Sequence, residues 1–142
     1  MLPKPPKRPR KPSKPLQRTK RPRRARKSSL AALKRLADAL WSQTVRSRPG
    51  GCECCERTDG MFQGAHGFSR RYLGTRWNLL NGFKLSQGCH VRFTYDPIRW
   101  DEYLRAAWGE PVYLELQSLA RRTYKPTTEE MEETIKRLRD EV

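Results

Sequence analysis

Residues able to do chemistry concentrate between positions 52 and 90, which hold all 4 cysteines and both histidines of the chain. They run as Cys52-Glu53-Cys54-Cys55, Gln63-Gly64-Ala65-His66, Arg76-Trp77-Asn78-Leu79-Leu80-Asn81 and Ser86-Gln87-Gly88-Cys89-His90. A Cys-x2-Cys pair on a turn aims two thiolates at one point, and a second pair from a later turn completes tetrahedral zinc. The second pair is broken here: Ser86 stands where the spacing calls for a cysteine before Cys89. Cys52, Cys55 and Cys89 are therefore the candidate zinc ligands, with Cys54 or a non-cysteine group as the fourth, or with packing in place of the metal. Cysteines clustered beside histidines in a chain without an export signal point to metal rather than to a disulfide framework.

His66 and His90 flank the Asn81 segment, and an imidazole with a pKa near ~6.5 can take a proton from water or, when neutral, ligate a metal. That order, together with Cys52-x2-Cys55, Ala65-His66, the Arg76-aromatic-Asn78-x2-Asn81 run and Asn81-x4-Ser86-x2-Cys89-His90, resembles the NinG/Rap recombination proteins of lambdoid phages. These belong to the HNH, or ββα-metal, nuclease superfamily that includes phage endonuclease VII. The resemblance covers about residues 49–142 and leaves out the N-terminal tail. It implies a hairpin and a helix gripping one divalent metal, with His66 as general base, Asn81 as a catalytic residue that ties the connecting loop or orients the base, and His90 as metal ligand.

The family often has asparagine at the position of His90, and either side chain coordinates metal. Ser86 replaces a zinc cysteine of the family. Ala65 stands where many HNH nucleases have an acidic or histidine ligand, although the NinG branch is similar in having a small residue there. The resemblance further implies Mg²⁺ or Mn²⁺ as catalytic cofactor, structural Zn²⁺, branched or Holliday-like DNA as substrate, and a phage-encoded protein in the bacterial cytoplasm. By analogy with junction-resolving enzymes, a homodimer could form through the first or the last helix.

Charge describes the surroundings of this segment. The 142 residues carry 31 Lys plus Arg against 15 Asp plus Glu, a net charge of +16. Residues 1–28 alone hold 13 basic side chains, no acid and seven prolines. Such a stretch cannot bury enough apolar surface to order itself, and its charges favour salt-sensitive, sequence-independent contact with nucleic acid. A solubilising tail or a targeting address is the alternative. Arg70, Arg71, Arg76 and Lys84, around the proposed base, are the expected DNA-binding residues, since guanidinium groups pair with phosphate oxygens. No apolar run approaches the ~18 residues of a membrane span, and no apolar stretch follows the basic start as in a secretory signal.

The elements that must position these residues read as an α+β chain: a tail over 1–28, an amphipathic helix over 29–48, and a nuclease-like core with C-terminal helices over 49–142. Ser28 or Ser29 caps a first helix whose apolar face is Leu30, Leu33, Leu36, Ala37, Leu40, Trp41 and Val45, ended by Pro49-Gly50-Gly51. Short strands are expected around 61–65 and 82–85, and a helix from Ser86 carries Cys89, His90 and Phe93. Asp96-Pro97 opens another helix, with Ile98, Tyr103, Leu104 and Ala107 inward until Gly109. A further helix spans 111–122, and Thr127 and Glu130 form a capping box for the last, with Met131, Ile135, Leu138 and Val142 on one face. Trp77, Trp100 and Trp108 read as packing, and the acids early and bases late in the last helix complement its dipole.

Two other readings compete with the nuclease. One is a noncatalytic nucleic-acid-binding protein with a zinc knuckle, which binds without cutting. The other is a small ribonucleoprotein component whose tail threads RNA.

Overall fold

The computed structural model describes residues 29–142; the basic tail lies outside the described residues. Five α-helices surround one two-stranded antiparallel sheet in the order α1 (Leu30–Ser47), β1 (Phe62–His66), β2 (Gly82–Ser86), α2 (Gln87–Tyr95), α3 (Pro97–Trp108), α4 (Glu110–Arg121) and α5 (Thr128–Asp140). A single 3-10 turn, Leu79–Asn81, leads into β2. The strands pair in the register Gln63↔Leu85, Gly64↔Lys84, Ala65↔Phe83 and His66↔Gly82. Because β2 runs directly into α2, the segment is a strand, a strand and a helix in succession.

Local chemistry fixes each start. Ser29, not Ser28, caps α1 by accepting from the Ala32 amide at 3.2 Å. Ser86 caps α2, Asp96 caps α3 with Pro97 in its first turn, and Thr127 with Glu130 closes a capping box on α5. The apolar stripe of α1 then packs on α5, burying Leu33, Ala37, Trp41 and Val45 with Met131, Ile135, Leu138 and Trp77. A second core joins Ala65, Phe83 and Leu85 of the hairpin to Cys89 and Phe93 of α2, Leu104 of α3 and Tyr113 of α4.

Strand alternation divides the hairpin between these cores. Gly64 and His66 face α1: a Cβ on Gly64 would meet the Trp41 ring at 3.4 Å, and His66 stacks on that ring. Gln63 and Ala65 face α2 through His90 and the second core. Gly82, opposite His66, has no room for a side chain, because a Cβ would lie 2.6 Å from a Val45 methyl.

Several packing assignments need correction. Ile98 is 73% exposed and Val142, beyond the end of α5, is 58% exposed; Ala107 and Leu36 also face solvent. For α3, the inward face is Trp100, Tyr103, Leu104 and Trp108. The strands also run one residue further than the sequence indicates, to include His66 and Ser86.

The 67–81 connection is ordered by polar groups from both sides. Three indoles donate into it: Trp41 to the Asn78 carbonyl at 3.0 Å, Trp100 to that of Gly67 at 3.0 Å, and Trp108 to that of Leu80 at 3.1 Å. Within it, the fully buried Asn81 side chain accepts from the Phe68 amide at 2.7 Å and donates to the carbonyls of Phe68 and Thr75 at 3.0 and 3.2 Å. Asn81→Ala would strand three backbone groups and should lower stability by about 3 kcal/mol in urea denaturation, given roughly 1–3 kcal/mol per unsatisfied buried group.

Candidate functional site

His66 ends β1, where the returning loop meets it. Its Nε2 lies 3.0 Å from the Arg76 carbonyl oxygen, which can only accept, so Nε2 carries the proton and Nδ1 is the basic nitrogen of the neutral ring. The ring also stacks on Trp41, centroids 3.7 Å apart and planes 11° apart. Burial pushes its pKa below the usual histidine value; the Arg76 carbonyl and Asp38 pull upward, and the Arg76 and Arg70 charges push further down. The net result is a neutral imidazole at physiological pH with a defined tautomer, the state a general base requires.

The residue that supplies the carbonyl is itself held. Arg76 makes a bidentate pair with Asp38 of α1, Nε to Oδ1 at 2.8 Å and Nη2 to Oδ2 at 2.6 Å, and the Trp77 indole donates to the same carboxylate at 2.9 Å. Arg76 therefore does not face DNA; its charge is spent on Asp38, and its backbone positions His66. Lys84 is likewise corrected: it is buried, and its ammonium donates to the carbonyls of Arg48 and Gly50 at 2.6 and 2.7 Å. Arg70 and Arg71 remain exposed in the loop after His66. From Gly60 to Tyr95 the sequence contains no acidic residue, so nothing on that segment opposes a polyanion.

Asn81 makes the contacts of a loop clamp, with its three hydrogen bonds all to backbone. It ties the connecting loop, one of the two roles expected of it from the sequence. His90, on α2, meets Gln63 of β1 through Nδ1 and the side-chain carbonyl oxygen Oε1. With that assignment Nδ1 donates and Nε2 is left with a free lone pair, the arrangement that orients metal-ligating histidines. His66 and His90 thus approach β1 from its two faces.

The cysteines are brought together by a knuckle. Gly51 passes so close to the returning chain that a Cβ would lie 2.2 Å from the Arg57 carbonyl oxygen, and Glu56 takes a left-handed φ of 58° to close the turn. Arg48, Glu53 and Lys84 lash this knuckle to β2, with Arg48 donating to the Gly82 and Leu79 carbonyls at 2.7 and 2.6 Å and Glu53 accepting from the Lys84 amide at 3.0 Å. The sulfurs of Cys52, Cys55 and Cys89 all lie within 4.8 Å of one another. Thiolates at about 2.3 Å from a tetrahedral ion sit about 3.8 Å apart, so the trio is compatible with a metal after a small inward shift.

Cys54 falls outside the trio, whereas the Ser86 hydroxyl is 3.7 Å from the Cys55 sulfur. Burial raises the Cys52 thiol, but the Ser86, Cys55 and Cys54 amides and the Ser86 hydroxyl outweigh it and bring it down to about 6. Burial holds Cys89 up at about 12, reinforced by the neighbouring thiols and only partly relieved by Ser86. Among the described residues this trio is the one place where three metal-ligating side chains of Cys, His, Asp or Glu converge; Ala65 is buried and brings no donor toward His90.

Sequence reasoning missed Gln63, Trp41 and Asp38 as parts of the site. Asp38 did leave a signal, an acid adjoining the apolar stripe of α1; Gln63 left none. No helix among the described residues is long and apolar enough to cross a membrane. Compared with protein-family models, curated proteins and solved structures, the chain matches none.

The lowered His66 value has a sign. Its neutral form is favoured on folding, so the contribution is fully present above the unfolded value near ~6.5 and is lost as pH falls through the lower folded one. The stability advantage of the native protein over His66→Gln should therefore shrink as pH is lowered through ~6.5 and below, measured by urea denaturation.

Proposed function

We propose that this chain is a metal-dependent DNA endonuclease that hydrolyses phosphodiester bonds in branched recombination intermediates. The observation that carries the reading is the hydrogen bond from His66 Nε2 to the Arg76 carbonyl, which leaves Nδ1 as a neutral base at the end of a hairpin followed directly by the helix bearing His90. The branched substrate, a phage origin and action in the bacterial cytoplasm rest on the NinG/Rap resemblance of the His66, Asn81 and His90 order and of Cys52-x2-Cys55.

In this mechanism His66 Nδ1 takes the proton of the attacking water, while the exposed Arg70 and Arg71 hold non-bridging phosphate oxygens. His90, oriented by Gln63, would hold the divalent ion through Nε2, with water and phosphate as the remaining ligands. A hard cation that keeps its waters and binds with phosphate tolerates so sparse a protein donor set. When bound, the ion offsets charge on the phosphate and the departing oxygen. Cys52, Cys55 and Cys89 would hold structural Zn²⁺, with the Ser86 hydroxyl, Cys54 or water as fourth ligand.

The sparse donor set favours one rival, a noncatalytic zinc-knuckle protein that binds branched DNA without scission under any divalent metal.

Cleavage of four-way-junction, flap and linear duplex DNA decides between the two. The native protein should cut branched DNA with Mg²⁺ or Mn²⁺, and His66→Ala should lose about a hundredfold or more in rate. Undiminished cutting by His66→Ala, or cutting untouched by chelator, would contradict this assignment. Independently, Ser86→Cys completes four thiolates and should retain zinc against a chelator at least about tenfold better than the native protein.

A further inference from the structure

A cavity of about 610 Å³ lies between the 73–79 part of the hairpin loop, the end of α4 and α5. Its size falls within the roughly 300–1,000 Å³ of small-molecule sites, and no part of the mechanism above uses it. Arg122 and Arg137 stand at its wall, and no acidic side chain lines it. Among the described residues neither guanidinium is in an ion pair. Leu73, Leu79 and Leu119 supply apolar surface and the buried Trp77 lines it from the core, while Asn78 and Tyr124 add an amide and a phenol.

This combination selects a ligand with both a charged and a flat, hydrogen-bonding part. Two unpaired guanidinium groups suit a phosphate, which they can bind in paired hydrogen bonds. The partly exposed Leu73, Leu79 and Leu119 offer apolar surface to a ring, and Asn78, whose Oδ1 accepts from the Leu80 amide, can donate to a base edge through Nδ2. A simple inorganic anion would leave the apolar wall unused, and a purely apolar ligand would leave both exposed arginines without a partner.

We infer that this cavity holds one nucleotide unit, its phosphate on Arg122 and Arg137 and its base against Leu73, Leu119 and the Asn78 amide. The source is an unpaired nucleotide of the DNA strand, an assignment that rests on the nuclease reading. Trp77 and Asn78 follow Arg76 in the chain, so an occupied cavity braces the loop that holds His66 Nε2. A branch or flap offers such an unpaired nucleotide without the energy needed to extrude one from a duplex.

The test is titration of the full chain with dTMP, with thymidine and with inorganic phosphate, followed through the Trp77 indole N–H signal in ¹H–¹⁵N NMR spectra. Saturable dTMP binding is expected, with phosphate and thymidine each at least about tenfold weaker, and with Arg122→Ala and Arg137→Ala each weakening dTMP about tenfold. Thermal melting checks that the variants fold; should one not fold, the charge-preserving Arg122→Lys and Arg137→Lys proteins replace it, and weaker dTMP binding is still expected because lysine lacks the paired donors. Flap DNA should compete with dTMP and blunt duplex should not. Phosphate binding as tightly as dTMP, or binding indifferent to the arginines, overturns the site; dTMP binding without competition by flap DNA overturns the strand as its source. Cleavage of branched DNA is measured alongside: saturable dTMP binding without cutting would overturn the nuclease reading alone, and cutting without dTMP binding would overturn the cavity alone.

Discussion

A single buried amide closes the loop on which the site depends. Asn81 is fully buried, and from one end of the 67–81 connection its hydrogen bonds reach Phe68 at the other end and Thr75 in the middle. A loop of this length between two strands of a hairpin would otherwise carry unsatisfied backbone groups into the interior, which is costly. With it closed, Arg76 is set where its carbonyl reaches His66 and its guanidinium reaches Asp38. The tautomer of one imidazole is therefore decided by the folding of the segment that follows it. The indoles of Trp41, Trp100 and Trp108 add anchors from α1 and α3, so the helices outside the hairpin serve the loop as well as the core.

The hairpin is held differently on its other side. There the knuckle of residues 48–57 is bound to β2 through Arg48, Glu53 and Lys84, and Tyr103 of α3 donates to the Glu53 carbonyl at 2.9 Å. Ser86 serves twice, capping α2 and standing beside the thiols. A cysteine there would make a poorer cap, because a thiol accepts weakly from an amide. Serine at this position therefore favours helix capping, and Cys52 and Cys89 beside it are packed within the second core.

Much of this was legible in the residues. Caps at Ser29, Asp96 and Thr127 and the stripe of α1 placed the helices, because those signals are local and act within one turn. The convergence of Cys52, Cys55 and Cys89 was legible from spacing alone. Arg76 and Lys84 were misread because their partners are remote: Asp38 lies in another helix, and the acceptors of Lys84 are backbone carbonyls that a sequence does not display. Gln63 escaped because a lone glutamine gains meaning only from the register that sets it against α2. Ile98 and Val142 fit a helical period yet face solvent, since period alone cannot say how wide the buried stripe is.

The proposed chemistry turns on the protonation of one ring. Nitrogen-15 NMR of imidazole-labelled protein at neutral pH reads it directly, from the separate shifts of Nδ1 and Nε2. The geometry requires a neutral His66 with the proton on Nε2 and an unprotonated Nδ1. A proton on Nδ1, or a ring charged on both nitrogens at that pH, would contradict the assignment of His66 as the base.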